Sequence, residues 1–553
     1  MRDERPWSQY TLAVFCVFAL GVAIRLVPLY WTPYPFNPDG FVFAGIARDT
    51  LASGSVLHPS DHRSMELNRY VFVVLLVVLS RITGLAPLWL AQPVIAVVGA
   101  VPPIVALLLV RNLGLEFGWP PRRTLVAATL AGFVLAIEGL YLRRTVTVSY
   151  EVLGLLLVPV VLLCVHRFFE TSRRAWIGVA GILLLALPAT HHFSTVIAAV
   201  SLTVLVAVWI DRRPSWLTLG GLGIAVGFWL YLLVYYARSP PGHSEVITTN
   251  PALVIAWLIA IIALAHWFRT ATPWRARGAI GCIVFFGFGV LSLNAIRPIF
   301  PGTAPTPSSL LVLVAPLMVL AVLATWGLPI VIRSKEGPIV LTLLIAPLTF
   351  IGLGLTAGLS LQYDFLVMRT QTFVHLGTVV IAAMAVFVLY DRVPDRPLPL
   401  AMTVRVGLPL LLILVAVVTV PIAFAGLETL SYQGTTTEAE FSAVTFASTT
   451  METSWSGDDH ITRIDSNYYG SDYNIGPHPV YEWLQGGDPP PCPVVAQDSW
   501  TTVGAQLYPA PPEHLDEQTY ADWQETNNAI YVSGESDDQT VIVVPTATVE
   551  ADC

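Results

Sequence analysis

Residues 34–54 read YPFNPDGFVFAGIARDTLASG and follow the first long apolar segment of the chain. Pro35 and Pro38 fix the backbone φ angle and remove N–H donors, and Gly40 permits a tight turn. The turn places Asp39 at the start of a short amphipathic run, just beyond a predicted membrane span. A carboxylate held there is suited to accept a proton from a bound hydroxyl group. The same residue also suits a turn-capping role, because aspartate is common in turns.

The composition of the 553 residues indicates a polytopic membrane protein, with 55% hydrophobic and 12% charged residues. Soluble domains carry about 25% charged residues. The charge is divided unequally, since residues 1–426 contain 28 Lys and Arg against 16 Asp and Glu. Residues 427–553 contain one basic residue, Arg463, against 21 acidic residues. This asymmetry predicts basic loops on one side of the membrane and an acidic segment on the other.

Thirteen apolar runs are long enough to cross a bilayer, which takes about 17–25 residues. They lie near residues 10–31, 88–110, 124–141, 150–168, 176–192, 193–210, 217–237, 251–268, 279–296, 310–332, 338–359, 371–390 and 404–426. The run 70–82 is shorter and is bracketed by Arg69 and Arg81, so we interpret it as interfacial or re-entrant. The expected fold is therefore an all-α polytopic membrane protein.

The distribution of positive charge predicts the orientation in a cell membrane. With a cytoplasmic amino terminus, 18 of the 29 Lys and Arg residues fall in short cytoplasmic segments, as the positive-inside rule requires. The loop 32–87 is then external. We divide the chain into a transmembrane domain, 1–426, and an extracellular carboxyl-terminal domain, 427–553. Alternating apolar runs at 529–532 and 540–544 predict that the external domain is small and α/β or β-rich.

The five cysteines divide in the same way. Cys16, Cys164 and Cys282 lie in apolar segments, where cysteine commonly serves in packing. Cys492 and Cys553 lie in the tail, and two cysteines alone leave their pairing open.

Charged groups at membrane depth are costly and therefore mark candidate site residues. Glu151 begins a span after the stretch 143–150, RRTVTVSY. An acid also suits this position because the helix dipole favours negative charge at an amino terminus. Arg369 precedes the twelfth span and has the chemistry to neutralise a phosphate. An arginine that extends to the membrane interface is an equally ordinary explanation.

His191 and His192 form a candidate phosphate or metal site, and packing roles suit both as well. Adjacent residues do not share a helix face, so at most one is expected to act. The sequence contains no Walker-type loop, Rossmann glycine motif or zinc-type Cys/His cluster.

These stretches resemble the GT-C superfamily of polytopic glycosyltransferases, which use lipid-phosphate sugars. The resemblance covers about 1–426. It is to archaeal dolichyl-phosphate-mannose-dependent mannosyltransferases of N-glycosylation and, more distantly, to the catalytic subunit of oligosaccharyltransferase. Residues 24–54 are similar to the family's first external loop with its catalytic acid. Residues 144–151 are similar to the second external loop, and Arg369 is similar to the arginine that holds the lipid phosphate.

Three departures from the family pattern bear on the reaction. The tail lacks the Trp-Trp-Asp-Tyr-Gly motif with which oligosaccharyltransferases hold their acceptor. The loop 297–309 has no glutamate, and the acidic pair of the second loop is reduced to Glu151. These differences favour transfer of a single sugar, expected to be mannose, over transfer of a whole oligosaccharide to asparagine.

The resemblance implies a role for each candidate residue. Asp39 and Glu151 are expected to be catalytic, Arg369, Arg143 and His192 to bind the donor phosphate, and Arg25, Arg144 and His191 to be structural or orienting. The expected donor is a dolichyl-phosphate sugar, and the expected acceptor is a lipid-linked or protein-bound glycan in N-glycosylation of cell-surface proteins. Membrane lipid is an expected partner and nucleic acid is not. No cofactor is assigned, and a divalent metal stays open.

Two other functions suit a chain of this composition. A flippase or exporter of lipid-linked sugars needs a cation-lined cavity and does not depend on the Asp39 turn. A surface-polysaccharide polymerase or ligase is an enzyme with related leaving groups but lipid-pyrophosphate donors.

Overall fold

The computed structural model describes residues 5–55, 69–238, 240, 249–301, 303, 305–392, 403–424, 433–508, 510–535 and 539–546. In this part of the chain, a large helical bundle is followed by a small domain that contains a four-stranded sheet.

The bundle is built from α-helices in chain order. Its first eleven helices are α1 (Arg5–Arg25), α2 (Asp39–Ser53), α3 (Tyr70–Thr83), α4 (Pro87–Gly99), α5 (Pro102–Glu116), α6 (Pro121–Ile137), α7 (Gly139–Val146), α8 (Glu151–Thr171), α9 (Arg174–Ala186), α10 (His192–Arg212) and α11 (Trp216–Arg238). They are followed by α12 (Pro251–Thr270), α13 (Pro273–Ile296), α14 (Ser308–Val314), α15 (Leu317–Val331), α16 (Gly337–Ile345), α17 (Leu348–Thr356), α18 (Leu361–Thr370), α19 (Val374–Arg392) and α20 (Leu408–Thr419).

Ten segments of the described chain are long and apolar enough to cross a membrane, or twelve if each of two bent helix pairs counts as one span. The bent pairs are α6 with α7, at 59°, and α14 with α15, at 40°. The predicted span 176–192 corresponds to α9, which has only 13 residues. At about 1.5 Å per residue it is shorter than the hydrocarbon core, which is about 30 Å thick. The polytopic all-α bundle is confirmed, and α3 is the short apolar run that we did not count as a span.

The bend between α6 and α7 is produced by Glu138. Its backbone is extended, and its carboxylate accepts hydrogen bonds from the N–H groups of Leu140 and Tyr141 at 3.0 and 3.1 Å. The carboxylate therefore caps α7 and satisfies two of the donors that a helix start leaves open. His375 Nδ1 lies 2.7 Å from the same carboxylate, so a half-buried histidine holds the cap in place.

Burial separates an inner from an outer set of helices. The inner helices α5, α6, α8, α10, α16 and α19 form one apolar core. In contrast, α11, α12 and α13 expose large apolar side chains such as Leu233, Ile259 and Phe285. An apolar outer surface of this kind is what a helix facing lipid presents.

The carboxyl-terminal domain contains helices α21 (Glu438–Thr450), α22 (Asp459–Tyr468), α23 (His478–Leu484) and α24 (Glu517–Thr526). Its strands are β1 (Ser456–Gly457), β2 (Val494–Gln497), β3 (Asn528–Ser533) and β4 (Thr540–Val544), in the order β1-β2-β4-β3. β1 runs parallel to β2, and the other two pairings are antiparallel. The small α/β domain is confirmed. Within it Cys492 is disulfide-bonded, and Cys553 lies outside the described residues.

This domain shares a hydrophobic core with the first loop of the bundle. Tyr34 and Phe41 pack in one cluster with Trp455, Ile464 and residues of α21. The ring centroids of Tyr34 and Phe441 are 4.5 Å apart. As a result, α2 lies between the bundle on one side and the domain on the other.

Gly139 is the first residue of α7, and its close packing helps to fix the bend between α6 and α7. A substitution at this position tests that packing. A Cβ atom at this position would lie 1.8 Å from the carbonyl oxygen of Thr419. We expect Gly139→Ala to destabilise the protein by at least about 1–3 kcal/mol, because backbone atoms must move to relieve the overlap. The matched control is Gly178→Ala in α9, where a Cβ meets no atom within 4 Å. Thermal melting in detergent checks the prediction, and equal melting temperatures for the two variants would contradict it.

Candidate functional site

The turn that carries Asp39 is held in an unusual backbone conformation by Asn37. Asn37 has a φ of 118°, a region that side chains rarely adopt and asparagine tolerates better than most. Its N–H donates to the carbonyl of Gly434 at 2.7 Å. Its side-chain oxygen accepts from the N–H of Asp39 at 3.0 Å. The asparagine therefore directs the chain into α2 and ties the turn to the start of the carboxyl-terminal domain.

A buried glutamine in α4 fixes the other side of the turn. Gln92 accepts a hydrogen bond from the N–H of Phe36 at 3.0 Å. Its amide nitrogen donates to the carbonyls of Arg25 and Val146 at 2.8 and 2.9 Å. One side chain thus joins the turn, the end of α1 and the end of α7, and burial makes each of these bonds costly to lose.

Asp39 is the first residue of α2, and it is exposed. Its carboxylate makes no hydrogen bond or ion pair with any residue in the described part of the chain. Asp39 is therefore an accessible carboxylate in a rigid setting, which is the arrangement that a general base needs.

Glu151 and Arg369 lie together at the same end of the bundle. Glu151 is the first residue of α8 and is buried, and its Oε2 is 3.9 Å from Nε of Arg369. The other oxygen, Oε1, is buried with no hydrogen-bond partner among the described residues. An orphaned buried oxygen is energetically expensive and marks a position for a ligand hydroxyl, a water or a cation.

Arg369 lies in the last turn of α18, and 35% of its side chain is exposed. It lies within electrostatic range of Asp39, Glu151, Tyr150 and Tyr508. At 3.9 Å the contact with Glu151 is longer than a hydrogen bond, so the donors of the guanidinium stay available to an anion. The structure thus brings together Asp39, Glu151 and Arg369, which are far apart in the sequence.

Arg143 and Arg144 lie in α7, and Arg144 is the one that the structure connects to this group through Tyr508. Arg143 is half-buried and forms no hydrogen bond or ion pair within the described ranges. Arg144 lies within electrostatic range of Tyr508 and Asp364. A cation without a partner at this depth is a strong candidate for binding an anion.

The two histidines differ in their surroundings. His191 precedes α10 and is buried, and its Nδ1 lies 2.7 Å from Oγ of Ser194 and accepts from the Ser194 N–H at 3.2 Å. It caps a helix. His192 is half-buried, with its ring centroid 6.3 Å from that of Tyr150, the residue before Glu151. The His191 ring lies nearer to Tyr150, at 4.5 Å between centroids, so both histidines border the site and His191 combines this position with its capping role.

Arg25 is fully buried and lies behind the site. Its guanidinium donates twice to Oγ1 of Thr145, at 2.6 and 3.1 Å, and to the carbonyls of Gly21 and Ala136. These bonds tie α1 to α6 and α7. Arg25 therefore acts on the site through the position of α7.

Three residues of the carboxyl-terminal domain, which we did not predict, lie beside the Asp39 turn. Asp459, Arg463 and Asn467 follow one another at intervals of four along α22 and therefore share a face. Asn467 donates to the carbonyl of Pro38 at 2.9 Å, which shows that this face is directed at the turn. Arg463 forms an ion pair of 2.9 Å with Asp459.

Electrostatic effects outside the bundle show how near these groups are. Burial raises the pKa of Asp459, Arg463 opposes the increase, and the charge of Asp39 adds to it. Burial also raises the pKa of Tyr508, which the charges of Arg463 and Arg369 lower and that of Asp39 raises. Tyr508 is therefore close to both the acid and the arginine of the site.

Tyr508 joins the domain to the bundle. Its ring stacks on Phe365 of α18 with a centroid distance of 6.1 Å and an angle of 19°. The guanidinium carbon of Arg463 lies 5.1 Å from the centre of the Tyr508 ring. The candidate site, named the cleft for its position between bundle and domain, is this group of residues: Asp39, Glu151 and Arg369 on the bundle side and Arg463 and Tyr508 on the domain side.

A separate cluster with metal-ligand residue types lies at the opposite end of α8. It consists of His166, Glu170 and Glu336. Arg167 donates to both glutamates, at 2.7 Å to Glu336 and by a shorter contact to Glu170. Trp209 donates to Nδ1 of His166 at 3.3 Å. A guanidinium already neutralises the two carboxylates, so we interpret the cluster as a structural ion-pair network.

Comparisons of this chain with known proteins give similarities of structure alone. No protein-family model and no curated protein sequence matches it. Its structure is similar to an oligosaccharyltransferase from Archaeoglobus fulgidus in complex with zinc and sulfate, with a TM-score of 0.46, 14% identity and coverage of 96% of this chain and 73% of the other. It is also similar to ArnT from Cupriavidus metallidurans bound to undecaprenyl phosphate, with a TM-score of 0.44, 14% identity and coverage of 98% and 99%. For ArnT in the apo state the TM-score is 0.46, the identity 14% and the coverage 96% and 98%.

Proposed function

We propose that this chain is a membrane glycosyltransferase of the GT-C type that moves one sugar, expected to be mannose, from a dolichyl-phosphate donor to a glycan acceptor. The observation that carries the proposal is the cleft in which an unpaired, exposed Asp39 lies within electrostatic range of Arg369. Such a transfer needs a base for the acceptor hydroxyl and a cation for the leaving phosphate. Asp39 and Arg369 supply these two groups at one end of the helical bundle.

The donor phosphate is proposed to bind between Arg369 and Arg143. Both guanidiniums have donors to spare, and a phosphate oxygen is their natural charge-assisted partner. His192 is proposed to add a further donor. The dolichyl chain is apolar and would extend from this point along the lipid-facing surface of the bundle.

The reaction is proposed to be a single displacement. The acceptor hydroxyl oxygen attacks the anomeric carbon, and Asp39 takes the hydroxyl proton. The bond between that carbon and the phosphate oxygen breaks, and dolichyl phosphate leaves with the bonding electrons. Arg369 and Arg143 stabilise the charge that develops on the leaving phosphate. Glu151, whose Oε2 lies 3.9 Å from Nε of Arg369, orients that guanidinium and offers Oε1 to the acceptor.

A divalent cation suits the orphaned Oε1 of Glu151, because hard cations prefer oxygen ligands. In that case Oε1 would hold the cation instead of contacting the acceptor, and Asp39 would remain the base. When bound, such a cation would supply positive charge next to the donor phosphate.

The acceptor is proposed to enter below α22. An ion pair beside an aromatic ring, as in Asp459, Arg463 and Tyr508, offers both hydrogen-bond donors and acceptors to sugar hydroxyls and a flat face to the sugar ring. In this proposal, residues 427–553 form an extracellular domain, residues 1–426 form the membrane domain, and the amino terminus is cytoplasmic. The acceptor is then a lipid-linked or protein-bound glycan in N-glycosylation.

Asp39→Asn tests the general base. The amide keeps the size of the side chain but cannot accept the proton, so we expect transfer to fall by about 10²–10⁴-fold. In the assay, each variant transfers mannose from dolichyl phosphate mannose to acceptors in membranes of a strain that lacks the protein. Mass spectrometry of intact glycans detects the added mannose. Asp522→Asn, an exposed change in α24, is the control. Transfer by Asp39→Asn within two-fold of the wild type would remove Asp39 from the mechanism.

Arg369→Ala tests the phosphate contact. A lost charge-assisted hydrogen bond is worth about 1.5–3 kcal/mol, so we expect the KM for the donor to rise by about ten-fold or more. The KM for the acceptor should stay within two-fold, and Arg369→Lys should recover part of the loss. An equal increase in both constants would contradict a phosphate role. Arg174→Ala, at the opposite end of the bundle, serves as the control.

Arg463→Ala tests the acceptor side of the cleft. Removing the guanidinium frees Asp459 and uncovers Tyr508, so we expect a several-fold increase in the KM for the acceptor and no change in the KM for the donor. Kinetics with each substrate varied in turn separate the two. A rise in the donor constant alone would assign Arg463 to the donor instead.

A further inference from the structure

A second cavity lies at the end of the bundle opposite to the cleft. It has a volume of about 540 Å³ and lies where α5 ends, α13 begins and α15 ends. Its lining includes Glu116, Phe117, Pro273, Arg277, Arg333 and Ser334. Volumes of this order are typical of sites that hold small molecules.

The lining of this cavity is positively charged. Arg333 is exposed and forms no hydrogen bond or ion pair with any residue that the structure describes. Arg277 donates through Nε to the carbonyl of Trp326 at 3.2 Å, and its guanidinium carbon lies 5.1 Å from the centre of the Trp326 ring. Packing against the tryptophan holds this guanidinium in place while its terminal nitrogens keep their donors.

Glu116 is the one acidic residue of the lining, and it is already engaged. Both of its carboxylate oxygens accept from the backbone N–H of Lys335, at 2.8 and 2.9 Å. In addition, Thr272 does not cap α13 with its side chain, so the first turn of a 24-residue helix begins beside the cavity with open N–H groups. The positive charge of the two arginines and of the helix start therefore exceeds the negative charge of the one carboxylate.

The aromatic residues around the opening indicate its depth in the membrane. Phe117 is 39% exposed and Trp274 is 80% exposed. Exposed aromatic side chains at helix ends are typical of the level of the lipid headgroups. Basic cavities between helices at that level bind phosphate-bearing headgroups.

From this combination we infer that the cavity is a binding site for the phosphate group of an anionic membrane lipid, held by Arg277 and Arg333. The headgroup lies in the cavity and its acyl chains follow the exposed apolar faces of α13 and its neighbours. The site is distinct from the cleft at Asp39 and does not depend on the proposed transfer reaction.

The test is native mass spectrometry of the full chain in neutral detergent, titrated with phosphatidylglycerol or with phosphatidylcholine. The wild type is expected to retain one phosphatidylglycerol at concentrations where phosphatidylcholine is lost. The double variant Arg277→Ala/Arg333→Ala is expected to bind phosphatidylglycerol at least ten-fold more weakly. An unchanged melting temperature without lipid would show that the variant is folded.

The matched control is Arg275→Ala. Arg275 lies two residues from Arg277 and therefore on another side of α13, and it does not line the cavity. This variant is expected to retain the lipid. Equal weakening by Arg275→Ala would mean that diffuse surface charge attracts the lipid and would overturn the site. Full retention by the double variant would overturn it too. If an equimolar amount of inorganic phosphate displaced the lipid, the inference that the ligand is a membrane lipid would be wrong.

Discussion

The positive φ of Asn37 is the constraint on which the cleft depends. A residue in this conformation costs free energy, and the surrounding structure must hold it there. Hydrogen bonds to Gly434, Val148 and Asp39 do so. Behind the turn, Gln92 uses its amide to join three backbone segments that would otherwise leave buried groups unsatisfied. Because these bonds come from α4, from the segment after α7 and from the carboxyl-terminal domain, the carboxylate of Asp39 is set by the whole fold.

Several charged groups in and around the cleft have atoms that form no hydrogen bond or ion pair with other described residues of the protein. Arg25 and Glu138 show the opposite situation, since both are buried and all their bonding groups are satisfied within the bundle. Asp39, Arg143 and Oε1 of Glu151 have no such partners in the described structure. Proteins that only need stability pair their buried charges. Leaving the buried Oε1 of Glu151 open has a cost in stability, and it is the physical reason to regard the cleft as a place where ligands bind.

Much of this architecture was predictable from the sequence. Long apolar runs gave the helices, and the Pro–Asp–Gly turn marked Asp39, because both are local signals. The bend at Glu138 was not predictable, since 124–141 reads as one apolar run and the capping bonds depend on a distant His375. The approach of Arg369 to Glu151 joins residues more than 200 positions apart and has no local signature. Arg463 did leave a signal as the one basic residue of an acidic tail, but its position beside the Asp39 turn follows from tertiary packing alone.

The core that the first loop shares with the carboxyl-terminal domain links the cleft to the order of synthesis. Tyr34 and Phe41 leave the ribosome early, whereas Trp455 and Ile542, which pack with them, are made some 400 and 500 residues later. Throughout that interval the turn lacks both its apolar cover and the carbonyl of Gly434. Contacts between parts so distant in the chain form slowly. Asp39 can reach its final position only after nearly the entire polypeptide has been synthesised and inserted into the bilayer. A partly synthesised chain therefore has no assembled cleft.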